Sequence, residues 1–277
     1  MNFEKFNLKN KVAFITGGGG FLGLQHAEAL LKSEAIVVLS DISNSNLEKS
    51  INLLQEKYST RKIFKIQSDV TSMNSLKDAQ EFLSSKNLFV DILINNAAID
   101  PKVNNDLKME SSSRLEKFDI SEWNKQIAVG LTGALNCIKV FGFEMAQSNK
   151  NGVILNIASD LSVIAPDQRI YRKENIDEDM QQVKPVTYSV IKSGLVGLTK
   201  YVATYWADKG VRCNALSPGG IFNNQSKMFV SKLENLIPMN RMAKIDEYQG
   251  AVQFLCSDAS SYMTGQNIVI DGGRSVW

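Results

Sequence analysis

The sequence predicts an α/β fold: a doubly wound, seven-stranded parallel sheet flanked by helices, in a single domain over residues 1–277. Three observations predict it. Seven short apolar runs recur along the chain, helical patterns separate them, and a glycine-rich turn follows the first run directly. The runs are 12–15, 36–39, 63–66, 90–94, 152–157, 211–216 and 267–270. Most are continuously apolar rather than alternating, as strands buried on both faces of a parallel sheet require. The helical stretches between them are 22–33, 45–58, 72–84, 121–147, 187–209 and 246–257. Regular β-α alternation makes successive strands parallel, because each helix returns the chain to the same edge. No internal repeat and no Pro/Gly/Ser linker divides the chain.

Composition removes several function classes. At 44% hydrophobic, with 31 basic and 29 acidic residues for a net charge of +2, the chain is not a disordered one. The balanced charge and the lack of a long basic run argue against a nucleic-acid or anionic-membrane partner. No uninterrupted apolar run approaches the roughly 18 residues of a membrane helix, so a spanning helix is not expected. The opening Met1-Asn2-Phe3-Glu4-Lys5 shows no secretory h-region. Cys137, Cys213 and Cys256 are dispersed and odd in number, which excludes a disulfide framework or a CxxC site and suits the cytoplasm. His26 is the single histidine, so a multi-histidine metal site is excluded and no metal is expected. His26 itself reads as a helix-surface or packing residue.

The turn Thr16-Gly17-Gly18-Gly19-Gly20-Phe21-Leu22-Gly23 carries the first chemistry. Gly18, Gly20 and Gly23 satisfy G-x-G-x-x-G between a strand and a helix, where small residues let backbone approach a pyrophosphate. The helix N-terminus then offers free N–H groups and the positive end of its dipole to the anion. Asp41 closes the second run, 18 residues past Gly23. A carboxylate there accepts both ribose hydroxyls of NAD and repels the 2′-phosphate of NADP, and residues 16–23 hold no Lys or Arg to receive such a phosphate.

From these residues onward the chain resembles the short-chain dehydrogenase/reductase family over nearly its whole length. The ordered motifs are Asp69-Val70, Asn95-Asn96-Ala97-Ala98, Ser159, Tyr188-Ser189-Val190-Ile191-Lys192, Pro218-Gly219-Gly220 and Asp271-Gly272-Gly273. The resemblance implies a Rossmann fold and cofactor contacts from Gly17, Gly20, Phe21, Leu22, Asp41, Asp69, Val70, Asn96, Ala97, Ala98, Tyr188, Lys192, Pro218, Gly219 and Ile221. It implies Ser159, Tyr188 and Lys192 as the catalytic residues, a small-molecule substrate, and a homo-oligomer, tetramer or dimer. The Ala165-Pro166-Asp167-Gln168-Arg169-Ile170-Tyr171 stretch and the Gly-Gly-Arg-Ser-Val-Trp ending further resemble a branch of flagellin and surface-polysaccharide modification proteins.

The chemistry also follows from the residues. Tyr188 and Lys192 are four apart and share one helix face. A free tyrosine titrates near about 10 and is a poor base at neutral pH. A neighbouring ammonium favours tyrosinate, so Tyr188 can take the proton of a substrate hydroxyl as hydride leaves its carbon. Ser159 would hydrogen-bond the substrate oxygen where charge develops. The expected activity is therefore an NAD-dependent interconversion of a secondary alcohol and a ketone on a polar small molecule. A sugar-nucleotide epimerase or dehydratase with internally recycled NAD is one alternative, and a non-catalytic nucleotide-binding regulator another.

Three departures from the family pattern stand out. The glycine turn also fits Thr-Gly-x-x-Gly-x-x-Gly, with Phe21 where a second glycine is usual. Gly130, in Val129-Gly130-Leu131-Thr132-Gly133, replaces the family's fourth catalytic residue, an Asn, so a backbone carbonyl and water are expected to sustain the proton path to Lys192. Residues 165–185 lengthen the connection between Ser159 and Tyr188, which predicts a substrate-covering insertion over about 160–187. Arg169, Arg172 and Lys173 beside Tyr171 suit a phosphorylated or nucleotide-linked sugar. A second polar segment, 100–117, also follows a strand and reads as a binding loop.

Overall fold

The computed structural model describes residues 3–99, 113–148 and 151–277. The strands are β1 (Val12–Thr16), β2 (Ile36–Asp41), β3 (Ile63–Gln67), β4 (Ile92–Asn95), β5 (Val153–Ile157), β6 (Arg212–Pro218) and β7 (Asn267–Ile270). They form one parallel sheet in the order β3-β2-β1-β4-β5-β6-β7. The order reverses between β1 and β4, which opens a crevice at their carboxyl ends. The helices are α1 (Phe21–Lys32), α2 (Asn44–Lys57), α3 (Met73–Ser85), α4 (Ile120–Ser148), α5 (Val186–Tyr205), α6 (Lys227–Glu234) and α7 (Gln249–Cys256). The predicted class and all seven strands are found.

Element ends differ where side chains or pairing decide them. Val90 and Asp91 lie before β4, because the Asp91 carboxylate accepts from the Val12 N–H at 2.9 Å and from Lys11 Nζ at 3.3 Å. β6 runs on to Pro218, since β7 offers Val269 and Ile270 opposite Ser217 and Pro218. α4 carries two π-helical stretches, Ala128–Thr132 and Ile138–Gly142, that no hydrophobic period announces.

Each face of the sheet holds a core. On one, α1 and α7 pack Leu30, Leu31, Val252 and Leu255 against Ile15, Leu39 and Leu155. On the other, α3 and α4 pack Leu76, Leu83, Cys137 and Phe141 against Phe14, Val38 and Leu93, with the Phe14 and Phe141 rings 4.3 Å apart. By length and composition α4 would suffice to cross a membrane, contrary to the sequence expectation, but half of its apolar window is buried in this core. All three cysteines are buried and free, and burial pushes each thiol up to about 12.

Candidate active site

Helix starts separate scaffold from site. Ser43, Ser72 and Ser226 cap α2, α3 and α6 with side-chain oxygens. α1 has Gly20 at that position, no capping side chain and no acid in its first turn. The N–H groups of that turn have no intrahelical acceptor and face the crevice as donors for an anion.

The glycine turn is held close to the sheet from both sides. Gly17 takes φ +63°, and a Cβ there would lie 3.0 Å from the Ala97 Cα. Asn96 Nδ2 donates to the Thr16 carbonyl at 2.9 Å and the Gly17 carbonyl at 3.2 Å. Thr16 Oγ1 accepts the N–H groups of Asn96 and Ala97, each at 3.0 Å. Asp41 stands across the turn, with Oδ2 accepting from the Gly19 N–H at 3.1 Å and Oδ1 from the Ser43 N–H at 2.9 Å. The structure thus brings Gly17, Gly20, Phe21, Leu22, Asp41, Asn96 and Ala97 to one edge, and adds Thr16 as a brace that the motif reading passed over. A glycine cradle with unpaired helix N–H groups and a carboxylate at its rim fits a dinucleotide.

The other candidate contacts surround that edge. Asp69 Oδ1 accepts from the Thr71 N–H at 2.8 Å and its hydroxyl at 2.7 Å. Val70 is buried, and its carbonyl accepts from Asn136 Nδ2 at 3.0 Å. Ala98 is exposed. Pro218 ends β6, the Gly219 N–H donates to the Ile270 carbonyl at 2.9 Å, and Ile221 bridges to Ala243.

His26 lies buried in α1, with its side chain hydrogen-bonded to Asn96. It is a packing residue, the second of the two expected roles. Its Nε2 has no partner among the described residues, and burial pushes the imidazole down to about 4. The unfolded chain titrates near 6.5 and therefore binds the proton that the folded chain refuses. Stability should fall as pH drops from 6.5 toward 4, by up to about 3 kcal/mol from this residue. Urea unfolding at pH 7 and pH 4.5 checks it: His26→Leu should flatten the difference, and an unchanged difference would exclude His26 as the cause.

Ser159, Tyr188 and Lys192 gather at the carboxyl end of β5. Ser159 is buried and lies two residues past the end of the strand. Lys192 is buried too, its Nζ donating to the Ile157 carbonyl at 2.8 Å. That bond draws α5 onto β5 and leaves the ammonium 5.6 Å from the Tyr188 ring centre. A second cation arrives from the insertion: Lys184 Nζ sits 3.8 Å over the same ring. Spacing could reveal the Tyr188–Lys192 pair; Lys184, before the helix starts, gave no periodic signal.

Gly130 lies buried in the first π stretch of α4. A Cβ there would come 2.8 Å from Cγ2 of Ile191, the residue before Lys192. Close approach of α4 to α5 is thus the benefit that offsets glycine's helical cost. Gly130→Asn should lower turnover rather than raise it, and cost about 1–3 kcal/mol through overpacking. Steady-state kinetics and thermal unfolding check this; a more than tenfold rise in turnover would refute it.

The insertion folds back on itself. Arg169 forms a two-pronged pair with Asp167, Nε to Oδ1 at 2.9 Å and Nη2 to Oδ2 at 2.7 Å, and Arg172 pairs with Glu178. These guanidiniums, expected to grip a phosphate, hold the loop together instead. Ile170 packs with Leu233, Ile237 and Met242, and Tyr171 meets the Phe229 ring at 5.6 Å. Arg114 Nη1 donates to the Glu178 carbonyl at 2.6 Å. Most of the 100–117 segment, 100–112, lies outside the described residues. A cavity of about 510 Å³ opens beside the glycine turn, lined by Phe21, Phe222, Val230, Arg241, Met242 and Ile245 among others. The described residues hold no cluster of metal-ligating side chains.

A parallel sheet with a glycine cradle at its switch point and a half-buried tyrosine paired with a buried lysine beside a serine defines a dehydrogenase architecture. The short chain dehydrogenase family model matches residues 11–171, and the model described as Enoyl-(Acyl carrier protein) reductase matches 177–275. The chain belongs to the short-chain dehydrogenase family, whose members are nicotinamide-dependent oxidoreductases. It is similar to an NAD-dependent glycerol dehydrogenase of Listeria innocua, 29% identical over 99% of this chain and 98% of that one. It is similar to an NADP-dependent mannitol dehydrogenase of Alternaria alternata, 30% identical over 99% and 95%. Among solved structures, a short chain dehydrogenase from Leptospira borgpetersenii with bound NAD⁺ superposes with a TM-score of 0.84 at 31% identity, covering 100% of this chain and 97% of that one.

Proposed function

We propose that this chain is an NAD(H)-dependent oxidoreductase that interconverts a secondary alcohol and a ketone on a polyol or sugar. The placement of Lys192 carries the reading: a buried ammonium, held on the Ile157 carbonyl, faces Tyr188 at the strand edge where Ser159 stands. The ammonium favours tyrosinate, so Tyr188 takes the proton of the substrate hydroxyl in oxidation and returns it in reduction. Ser159 hydrogen-bonds the substrate oxygen, and Lys192 would also hold the nicotinamide ribose. A bound nicotinamide dinucleotide supplies the hydride acceptor or donor. The backbone of Gly17, Gly20, Phe21 and Leu22 would hold its pyrophosphate, Asp69, Val70, Asn96, Ala97 and Ala98 would contact its adenosine and ribose, and Pro218, Gly219 and Ile221 would border the nicotinamide.

Relatives named as glycerol and mannitol dehydrogenases support a polyol or sugar. The pairing of Arg169 and Arg172 within the insertion removes the support for a phosphorylated one. Buried thiols suit the cytoplasm. Exposed Leu135 and Phe143 on α4, with Val190, Tyr201 and Tyr205 on α5, suit a symmetric contact with a second copy. The reading includes no nucleic-acid or membrane partner.

Asp41 supports NAD over NADP, because its carboxylate lies at the rim of the glycine cradle. Fluorescence titration should show NADH binding about tenfold tighter than NADPH, with the preference lost in Asp41→Ala. Tighter binding of NADPH by the unsubstituted protein would overturn the NAD assignment. Net accumulation of NADH with glycerol or mannitol would separate a dehydrogenase from an epimerase that recycles its cofactor.

A further inference from the structure

The insertion sends a charge into the site. Arg169 and Arg172 close on acids of the same loop, but Lys184, near its end, reaches out of it. Its Nζ lies 3.8 Å from the Tyr188 ring centre, nearer than the 5.6 Å of Lys192. The backbone fixes this approach. The Lys184 N–H donates to Gln168 Oε1 at 2.8 Å, which ties the end of the insertion to its beginning. The Val183 N–H before it donates to Ser113 Oγ at 3.3 Å. Pro185 after it is buried at the N-cap of α5, with φ −56°. The proline ring locks that angle, so the chain enters the helix in one direction.

An ammonium near an aromatic face is attracted to the ring electrons. The attraction grows when the ring carries a full negative charge, because a phenolate acts as an ion and a phenol only through its dipole and quadrupole. Two ammoniums held near one ring also repel each other, and a negative charge on that ring offsets the repulsion. Other charged groups near this corner are balanced or neutral among the described residues. Asp160, next to Ser159, is held by Arg274 at 2.7 Å. Arg114, in the segment against the insertion, is paired with Glu116. His26, which feels the Lys192 charge from α1, is kept neutral by burial.

We propose that the insertion sets Lys184 on the Tyr188 ring as a second cation, a positioning residue that keeps the tyrosine in its proton-accepting form at lower pH than Lys192 achieves alone. This rests on the reading of Tyr188 as the base. Alcohol oxidation needs the tyrosinate, so its rate rises with pH as Tyr188 loses its proton. A cation beside the ring moves that rise to lower pH, and removing the cation moves it up. Lys184 is half-buried, so water screens part of its charge and the shift falls at the low end of what a neighbouring ion produces.

The test is the pH dependence of kcat/KM for oxidation of glycerol and mannitol with NAD⁺, with NADH titration alongside. The unsubstituted enzyme is compared with Lys184→Met and Lys184→Arg. In Lys184→Met the acid limb should move up by about one pH unit, with the alkaline plateau and the NADH affinity each within about twofold. Lys184→Arg keeps the charge and should return the limb to within about 0.3 units. A loss shared equally by all pH values would mark a purely structural role and overturn the proposal. An unmoved limb would overturn it too, as would an arginine variant that behaves like the methionine one. If Lys184→Met does not fold, Lys184→Gln decides: its limb should also move up, and a limb at the original position overturns the proposal. If the unsubstituted enzyme turns over neither compound, the polyol reading fails and Tyr188 is titrated directly. The probe is NMR of protein isotope-labelled at the tyrosine Cζ, with Tyr188→Phe assigning the signal. The midpoint should rise by about one unit in Lys184→Met, and a midpoint that stays in place overturns the proposal.

Discussion

Tyr188→Phe is expected to lower kcat by about 10³-fold while leaving NADH affinity within about twofold. The substitution removes one oxygen and keeps the ring that Lys184 and Lys192 face, at 3.8 and 5.6 Å. The helix and the Lys192–Ile157 bond have no reason to change, because neither uses the hydroxyl. What disappears is the group proposed to exchange a proton with the substrate oxygen. Ser159 cannot replace it, since a neutral serine hydroxyl is too weak a base to take that proton. Steady-state kinetics beside a fluorescence titration distinguish a chemical loss from a binding loss. A kcat within tenfold of the unsubstituted enzyme would remove Tyr188 from the proton transfer.

The second large effect belongs to Gly23→Ala. A Cβ on Gly23 would fall 2.2 Å from the Gly17 carbonyl oxygen and 2.8 Å from the Gly18 Cα. Both are backbone atoms of the glycine turn, so no side chain can swing away and the turn itself must move. The shift breaks the seat that Asn96 and Thr16 hold in place. Cofactor affinity should fall by about 100-fold or more and stability by about 3 kcal/mol. Gly197→Ala in α5 is the matched control, because its Cβ would meet nothing within 4 Å. That change should stabilise the protein by about 0.5–1 kcal/mol and leave NADH binding alone. Titration and thermal unfolding of the two variants check both halves. Equal behaviour of the two variants would mean that the turn is not held as tightly as its contacts require.

Much of the architecture was legible because the physics acts locally or by a simple period. Val12–Thr16 and Ile36–Asp41 are continuous apolar runs, as strands covered on both faces must be. The glycine turn announced itself through residues that exclude a Cβ, and Tyr188 with Lys192 through a four-residue spacing on one helix. The insertion was visible as a polar interruption of the β-α rhythm. What its charges do was not: Arg169 and Arg172 are as compatible with a phosphate as with Asp167 and Glu178, and only the folded loop shows which is nearer. The departure at Gly130 was likewise readable as a missing side chain, but its cause, Ile191 pressed against it from another helix, was not.

By itself, then, the sequence determined the sheet, the order of its motifs and the candidate residues for a dinucleotide and a proton. These rest on backbone preference, apolar period and side-chain chemistry, which neighbours along the chain already express. Only the tertiary structure decided how those groups are held. It seats His26 in α1 against Asn96, lays Lys184 on the Tyr188 ring, and joins Asp160 to Arg274 across 114 positions of sequence. Such contacts leave no periodic trace, because each depends on two distant segments meeting in the folded chain.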